Sequence, residues 1–258
     1  MKRQAKERFV AQQSVPRVKM IVCSVLARES HAVVARAARA VDLELLDQGL
    51  HSLGPERMSK ELQEAIDRST GYTEVLLGYG LCNNGAVGLR ARETPLVVPK
   101  VHDCISILLG SAARYQEEFE REPGTYYLTG GWLEYDKDMK RPPGSTVTER
   151  LGIGKTFEAY AAQYGEENAK YLMETLGEGL THYTRIAFIE MGLGPEEAFA
   201  ETARKKAAEE GLKLEKLPGD LGMLQRLADG DYSRGEFLIV PPGGKIEADY
   251  AGGVMRAK

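Results

Sequence analysis

Residues 18–26, VKMIVCSVL, decide the fold class of this chain. The run is mostly apolar and rich in β-branched side chains, which is typical of a strand buried on both faces of a parallel sheet. An alanine-rich helical segment follows at residues 29–40. The same alternation of strand and helix continues along the chain. It predicts an α/β protein with mostly parallel sheets and helices on both faces.

The alternation also suggests how the chain is divided. Further strands are predicted at residues 43–46, 74–78, 95–101, 126–129, 185–190, 212–217 and 236–240, and further helices at 55–68, 86–92, 103–121, 148–164, 166–180, 195–210 and 221–228. We interpret them as two Rossmann-like lobes, residues 18–122 and residues 123–258, after an N-terminal extension at 1–17. The second lobe contains a glycine- and proline-rich loop at 130–145. One continuous domain over 18–244 fits the same pattern.

Composition and charge limit the functions and the location that we expect for this protein. The 258 residues carry a net charge of -4, which gives no reason to expect binding to nucleic acid or to an anionic membrane. No apolar run approaches the roughly 20 residues that span a bilayer, and the charged N-terminus lacks the apolar core of a signal peptide. We expect a cytoplasmic protein that acts on a small molecule, either alone or as a homo-oligomer.

The chain has three cysteines, Cys23, Cys82 and Cys104. An odd number in a reducing cytoplasm argues against a disulfide framework and leaves coordinating, catalytic or free thiols. Each cysteine lies near the end of a predicted strand, and the carboxyl ends of parallel strands form one ligand-binding rim. We therefore expect the three to converge, at sites where helix N-termini lower a thiol pKa. For each of them, an ordinary buried cysteine is the alternative.

Two metals suit three converging thiolates. They can hold three irons of a [4Fe–4S] cluster and leave the fourth iron open, although four thiolates are usual. Three protein ligands also suit catalytic zinc, whose fourth position is taken by water or substrate, and His102 can then replace one cysteine. The sequence has no CxxC pair, so no local motif chooses between the two.

The segment YGLCNNG, residues 79–85, is the most distinctive local feature. Turns of this kind present backbone N–H groups to an anion or a cluster. Five residues of the segment are therefore predicted to contact the cofactor: Tyr79, Gly80, Asn83, Asn84 and Gly85. The alternative is a plain strand-to-helix turn that uses Asn and Gly for positive φ.

Three further residues complete the predicted site. His102 and Asp103 precede Cys104 and form a candidate catalytic proton relay, although Asp103 equally suits a helix N-cap. Trp132 ends the aromatic and glycine-rich segment YYLTGGW, ahead of a loop that can cover a substrate, and is predicted to contact the cofactor. A strand packed under that loop is the alternative. His51 stands alone and is interpreted as a surface or packing residue.

Four segments carry a family resemblance: LLGYGLCNNGAVGL at 76–89, VHDCISILLGS at 101–111, PGTYYLTGGWLE at 123–134 and FLIVPPG at 237–243. They resemble the domain-of-unknown-function 1638 family, and the resemblance extends over about residues 18–244. It implies cysteine at the positions of Cys23, Cys82 and Cys104. It also implies a context in anaerobic bacteria and archaea, near corrinoid and methyl-transfer systems.

These features together predict a metal-dependent enzyme. An open iron would act as a Lewis acid on a small polar molecule in anaerobic one-carbon or sulfur metabolism, as a lyase, a desulfidase or a methyltransferase. A [4Fe–4S] cluster is the first choice of cofactor and zinc the second. The alternative is a non-catalytic accessory protein that binds a corrinoid or a metal and works with methyltransferase proteins.

Overall fold

The structure is a computed structural model that describes residues 16–138, 161–162, 165–170, 183–249 and 253–258. Within those ranges, each helix is too short or too polar to cross a bilayer.

A five-stranded sheet forms the centre of the protein. Its strands are β1 (Arg17–Cys23), β2 (Ala40–Leu46), β3 (Glu74–Gly78), β4 (Leu96–Pro99) and β8 (Phe237–Val240), in the order β2-β1-β3-β4-β8. The first four are parallel, and β8 runs antiparallel to β4. Strands β1, β3 and β4 are buried along most of their length, so both faces of the sheet centre are covered.

A second sheet of three parallel strands follows. Its strands are β5 (Thr125–Thr129), β6 (Arg185–Glu190) and β7 (Lys213–Pro218), in the order β5-β6-β7. A short antiparallel hairpin, β9 (Ile246–Ala248) and β10 (Met255–Ala257), lies near the C-terminus. The predicted α/β class with mostly parallel sheets is confirmed.

The helices of the described chain connect these strands. They are α1 (Ala27–Val34), α2 (Pro55–Asp67), α3 (Cys104–Leu108), α4 (Ala112–Arg121), α5 (Gly130–Asp138), α6 (Glu196–Glu209) and α7 (Gly222–Asp229), with 3-10 helices at Ser24–Leu26 and Gln48–Leu53. Helix α7 packs against α1, α3 and β3. The chain thus returns to the first sheet after building the second. The proposed lobe boundaries stay a prediction.

Strand β6 joins the two sheets through its alternating side chains. Ala187 and Ile189 belong to the large core that also contains β1, β3 and β4. Ile186 and Phe188 point to a smaller core together with Phe199 of α6. This division follows from the two-residue period of a strand, which sends successive side chains to opposite faces. The second sheet is therefore in contact with the core of the first.

Three predicted helices differ from the structure. The helix predicted at 29–40 ends earlier, at Val34, and Ala40 already begins β2. The single helix predicted at 103–121 is wrong, because Gly110 adopts a φ of 83° and Ser111 begins a new helix by accepting a hydrogen bond from the Arg114 N–H at 3.1 Å. The helix predicted at 86–92 is also wrong. Its backbone bonds instead to the C-terminal segment, with Gly88 donating to Ile246 and Ala91 donating to Gly244.

The loop predicted at 130–145 is wrong in its first part, because residues 130–138 form α5. Residues 139–145 lie outside the described residues, as does most of the helices predicted at 148–164 and 166–180. Within the latter, residues 166–170 are helical. Most of the N-terminal extension at 1–17 is likewise outside the described residues, and the β9–β10 hairpin was not predicted.

Helix α5 starts with two glycines because its first turn lies directly on the backbone of the first 3-10 helix. A Cβ added to Gly131 would overlap the carbonyl oxygen of Val25, and one added to Gly130 would meet the ring of Phe199 at 2.7 Å. Only glycine allows this approach. The glycine pair, which resembles a loop signal in sequence, is here a packing requirement.

A buried carboxyl group lies where α1, α5 and α6 meet. Glu29 is 3% exposed, and its Oε2 has no hydrogen-bond partner among the described residues. Burial raises the pKa of Glu29 to about 7, with Glu196 and Glu134 adding to the rise and Arg28 opposing it. Arg28 itself donates to Glu134 at 2.9 Å. Protonation of Glu29 therefore stabilises this junction.

We predict that Gly131→Ala lowers the melting temperature more than Gly71→Ala does. Gly71 has a φ of 78° and open space around its Cα, so alanine there costs only the backbone strain of about 1–2 kcal/mol. At position 131 the methyl group meets backbone, and overpacking of this kind costs about 1–3 kcal/mol, occasionally more. Thermal melting measures both variants. A Gly131→Ala variant as stable as the native chain would contradict the packing described for α5.

We predict that the free energy of unfolding falls as pH rises from about 4.5 to about 7, in part through Glu29. The raised pKa means that the folded state binds the proton more tightly than the unfolded state, so stability is lost as pH rises through the folded pKa. Glu29→Gln should remove about 1–3 kcal/mol of this dependence. Denaturant unfolding at pH 5 and pH 8 measures it, with exposed Glu209→Gln as control. An unchanged pH slope in Glu29→Gln would contradict the assignment.

Candidate functional site

The three cysteines lie at one end of the first sheet. Cys23 is the last residue of β1, Cys82 is in the turn after β3, and Cys104 begins α3 after β4. Because β1, β3 and β4 are neighbours in that order, their carboxyl ends form a continuous rim. The thiols are free and buried, with exposures of 1%, 2% and 4%. The structure therefore brings them to the same region of the fold.

Tyr79 lies among the three thiols. It is 1% exposed, and its hydroxyl oxygen lacks a well-formed hydrogen bond although it interacts with the Cys23 thiol. Burial raises the pKa of Tyr79 well above its usual value, and all three cysteines add to the rise. We call Tyr79, Cys23, Cys82 and Cys104 the thiol cluster. Its members are close enough to influence one another electrostatically.

Burial dominates the chemistry of the thiol cluster. It raises the pKa of Cys23 to about 12, and it also raises the pKa values of Cys82 and Cys104. Backbone N–H groups, including that of Cys104 near Cys82, oppose this effect but do not overcome it. The expectation of lowered thiol pKa values is thus wrong for the protein without a cation. A bound cation would reverse the preference, since it favours thiolate.

The turn that carries Cys82 has an uncommon backbone. Cys82, Asn83 and Asn84 have φ values of 46°, 54° and 65°, so three successive residues are left-handed. Asparagine tolerates this region, whereas for cysteine it costs about 1–2 kcal/mol. Backbone strain of this kind is often found at functional sites. Positive φ was predicted for asparagine in this turn, and both asparagines have it. Cys82 has a positive φ as well.

Contacts with the segment between β4 and α3 hold the turn in place. The N–H of Cys82 donates to the carbonyl of His102 at 2.8 Å, and the N–H of Leu81 donates to Val101 at 2.9 Å. Gly80 is needed for this approach, because a Cβ there would lie 2.7 Å from the Asp103 nitrogen. Cys82 and Cys104 are therefore positioned by one shared piece of backbone.

A cleft of about 420 Å³ opens beside the thiol cluster. Its lining residues are His51, Leu81, Cys82, Asn83, Asn84, His102, Asp103, Cys104, Ile105 and Trp132. Most of the residues that the sequence analysis assigned to the site are in this set. A cleft of this volume is at the lower end of the range for small-molecule sites.

Asp103 is the N-cap of α3. Its Oδ1 accepts hydrogen bonds from the N–H groups of Ile105 at 2.9 Å and Ser106 at 3.4 Å. Burial raises its pKa, against the effect of these two bonds. His102 beside it is exposed and lines the cleft. The capping alternative is thus observed for Asp103, and the catalytic assignment of both residues stays a prediction.

Sequence reasoning missed His51. The 3-10 helix Gln48–Leu53 follows β2, the next strand along the rim, and places His51 in the cleft wall. Its ring centroid lies 6.3 Å from that of Trp132, and burial lowers its pKa. Within the part of the chain that the structure describes, neither His51 Nε2 nor Trp132 Nε1 has a hydrogen-bond partner. The position directly after a rim strand was the one signal in the sequence that could have indicated it.

Proximity of the three thiols does not by itself make a metal site. As the side chains stand, the described part of the chain has no group of three His, Cys, Asp or Glu residues arranged to hold a metal ion. The metal site stays a prediction.

Comparison with known proteins gives a family but no activity. No curated protein and no solved structure matches the chain. A family model described as a protein of unknown function (DUF1638) matches residues 45–228, which include Cys82, Cys104 and Trp132 but not Cys23. The match spans more than two thirds of the 258 residues. The chain therefore belongs to the DUF1638 family.

Proposed function

We propose that the protein is a cytoplasmic metal-dependent enzyme of two Rossmann-like lobes that transforms a small polar molecule. Cys23, Cys82 and Cys104 would hold a [4Fe–4S] cluster with one open coordination position. One observation carries the proposal: three buried thiols come from adjacent strand ends at one rim of the sheet, two of them line a cleft, and all three add to the raised pKa of the buried Tyr79. Anaerobic one-carbon or sulfur metabolism is the context that we propose for it.

The three cysteines are ligands of the chemical type that this cofactor requires. Thiolates are the ligands of iron–sulfur clusters and also suit zinc. Protonated cysteine packs as a small apolar group, and metal binding to the three thiols would release their protons. Tyr79 then supplies an O–H donor for a thiolate, a type of contact that orients and tunes metal ligands. Zinc bound by the same residues is the second choice.

The chain's own residues would have distinct tasks. When bound, the cluster supplies a Lewis-acidic iron. Asp103 holds the start of α3, and with it Cys104, through its two capping bonds. His102 is exposed at the cleft and can carry a proton to or from the substrate. Dehydration, desulfuration or methyl transfer is compatible with this set.

The size of the cleft favours an enzyme over a corrinoid-binding accessory protein. About 420 Å³ suits a small molecule, whereas a corrinoid ring system is much larger. In a methyltransferase system, a corrinoid would accordingly be carried by a partner protein. A red or orange preparation with stoichiometric cobalt would favour the accessory role.

We predict that anaerobically purified protein is brown and contains about four iron and four sulfide per chain, as one [4Fe–4S] cluster requires. Elemental analysis and sulfide determination on the same sample measure this. A content of about one zinc per chain without sulfide would instead support zinc as the cofactor. An active protein free of both metals would contradict the proposal as a whole.

We predict that Cys82→Ser loses the metal while the fold is retained. Serine binds soft metals far less well than thiolate. Its hydroxyl would lie near the backbone N–H groups of Gly80 and Cys104, which act to lower the pKa of the thiol, so the cost in stability should be at most about 1–3 kcal/mol.

Ile105→Val is the matched control for Cys82→Ser. It alters packing beside Cys104 by about 0.5–1.5 kcal/mol and leaves the three sulfurs in place. Thermal melting and metal content are measured for both variants. Full metal content in folded Cys82→Ser would remove Cys82 from the site, and metal loss in Ile105→Val would point to instability as the cause.

A further inference from the structure

The accessible side-chain surface of Trp132 consists of carbon. The residue is partly buried and lines the cleft beside the thiol cluster. Its polar atom, Nε1, has essentially no accessible surface. What a ligand in the cleft can touch on this side chain is therefore carbon, and most of the carbon atoms belong to the aromatic ring.

Backbone contacts fix Trp132 in the wall of the cleft. It is in the first turn of α5, where Gly131 lies directly on Val25. The Thr129 hydroxyl accepts a hydrogen bond from the Trp132 backbone N–H at 3.3 Å. The ring of His51 lies beside the indole, with the two centroids 6.3 Å apart. The aromatic part of the wall is therefore in place before any ligand binds.

Asp103 gives the cleft a negative charge. It lines the cleft, and its charge acts on His51, Cys82 and Cys104, which line the cleft as well. No lysine or arginine is among the described lining residues. Burial lowers the pKa of His51, which keeps this imidazole uncharged near neutral pH, and His102 is exposed to solvent. The cleft therefore favours a cation over an anion of the same size.

The proposed cofactor would leave this preference unchanged. A zinc ion or an oxidised [4Fe–4S] core carries two positive charges against three thiolates, so the loaded site would keep a net negative charge. The sign of the field in the cleft is thus the same with and without the metal.

The lining also favours one kind of cation. A primary ammonium has three N–H donors, each of which needs an acceptor once it leaves water. Alkylation replaces these donors with carbon, which suits the ring of Trp132 and the apolar side chains of Leu81 and Ile105. Proteins recognise quaternary ammonium groups on aromatic surfaces of this type. An alkylated ammonium group therefore matches one carboxylate and an aromatic wall.

We propose that the cleft binds the alkylated ammonium group of a small cation, with Asp103 as its counter-charge and the Trp132 ring as its apolar contact. The inference names the substrate class of the proposed site, so its catalytic meaning rests on the proposed function. Binding itself requires only the walls of the cleft.

Trp132 is the only tryptophan in the chain and therefore reports on the cleft by its fluorescence. The anaerobically purified protein is titrated with choline and with neohexyl alcohol, in which carbon replaces the charged nitrogen of choline. Both titrations are made at about pH 8, above the ordinary pKa of imidazole. Ligands of this size bind in the millimolar range, so each titration extends to about 50 mM.

We expect a saturable change with choline and an affinity lower by about tenfold for neohexyl alcohol, since only choline is attracted by the carboxylate and the ring. Ethanolamine, the primary ammonium analogue, should bind about 3-fold or more weakly than choline. These comparisons use the native chain and do not depend on the folding of a variant.

Asp103→Asn tests the counter-charge. Asparagine caps helices as well as aspartate does, so the start of α3 should be retained while the charge is lost. Choline affinity should fall by about 5- to 10-fold, and neohexyl alcohol should bind as before. Glu209→Gln removes one exposed carboxylate elsewhere and should bind choline as the native chain does.

Two variants test the aromatic contact. Trp132→Leu should weaken choline binding by about tenfold and Trp132→Phe by about 3-fold, because phenylalanine keeps a smaller aromatic ring at the position. Calorimetry measures both, since neither contains the fluorophore. Melting temperatures show which variants are folded.

The outcomes separate this inference from the metal proposal. Equal binding of choline and neohexyl alcohol, tighter binding of ethanolamine, no saturation with choline, or native affinity in folded Asp103→Asn or Trp132→Leu would overturn it. Metal content is measured on the same samples. Metal-free protein that binds choline would keep the inference and remove the metal, whereas metal-loaded protein that fails to bind would do the reverse.

Discussion

The hydrogen bond from the Cys82 N–H to the His102 carbonyl, 2.8 Å long, is the contact on which the site depends. It fastens the turn after β3 to the segment after β4, and that segment opens α3 with Cys104. Gly80 makes the approach sterically possible. Without this contact, the left-handed backbone of Cys82 would lose its anchor, and two of the three thiols would no longer share a wall. The positions of the thiols at the rim thus depend on backbone contacts as much as on side-chain contacts.

Several residues of the described structure have a backbone conformation or an unpaired polar atom that lowers stability. Cys82 has a positive φ, and Tyr79, His51 and Trp132 each bury a polar atom without a well-formed partner. Residues that break local rules tend to be found where a protein binds something. Here Cys82, His51 and Trp132 line one cleft and Tyr79 belongs to the thiol cluster beside it, whereas β3 and β4 are regularly paired and buried. The regular strands thus differ from the irregular backbone and unpaired polar groups at their carboxyl ends.

Sequence reasoning found what depends on local pattern. Residues 74–78 and 185–190 were predicted to the residue, because buried parallel strands are short apolar runs. The break at Gly110 was missed although glycine followed by serine is a stop and a cap. Helix α5 was taken for a loop because nothing in a glycine pair shows that Val25 lies against it. His51 was missed because its importance comes from Trp132, which is far away in sequence and near in space.

The late return of the chain to the first sheet bears on how the protein is made. Strands β1, β3 and β4 and all three cysteines leave the ribosome within the first 104 residues. Helix α7 packs on α3 and strand β8 pairs with β4, and both are synthesised long after these partners. Pairing between such distant segments forms slowly. The nascent chain therefore carries its complete set of thiols while the edge of the sheet beside them is still open, an interval in which solvent and small ions have access to the thiol cluster.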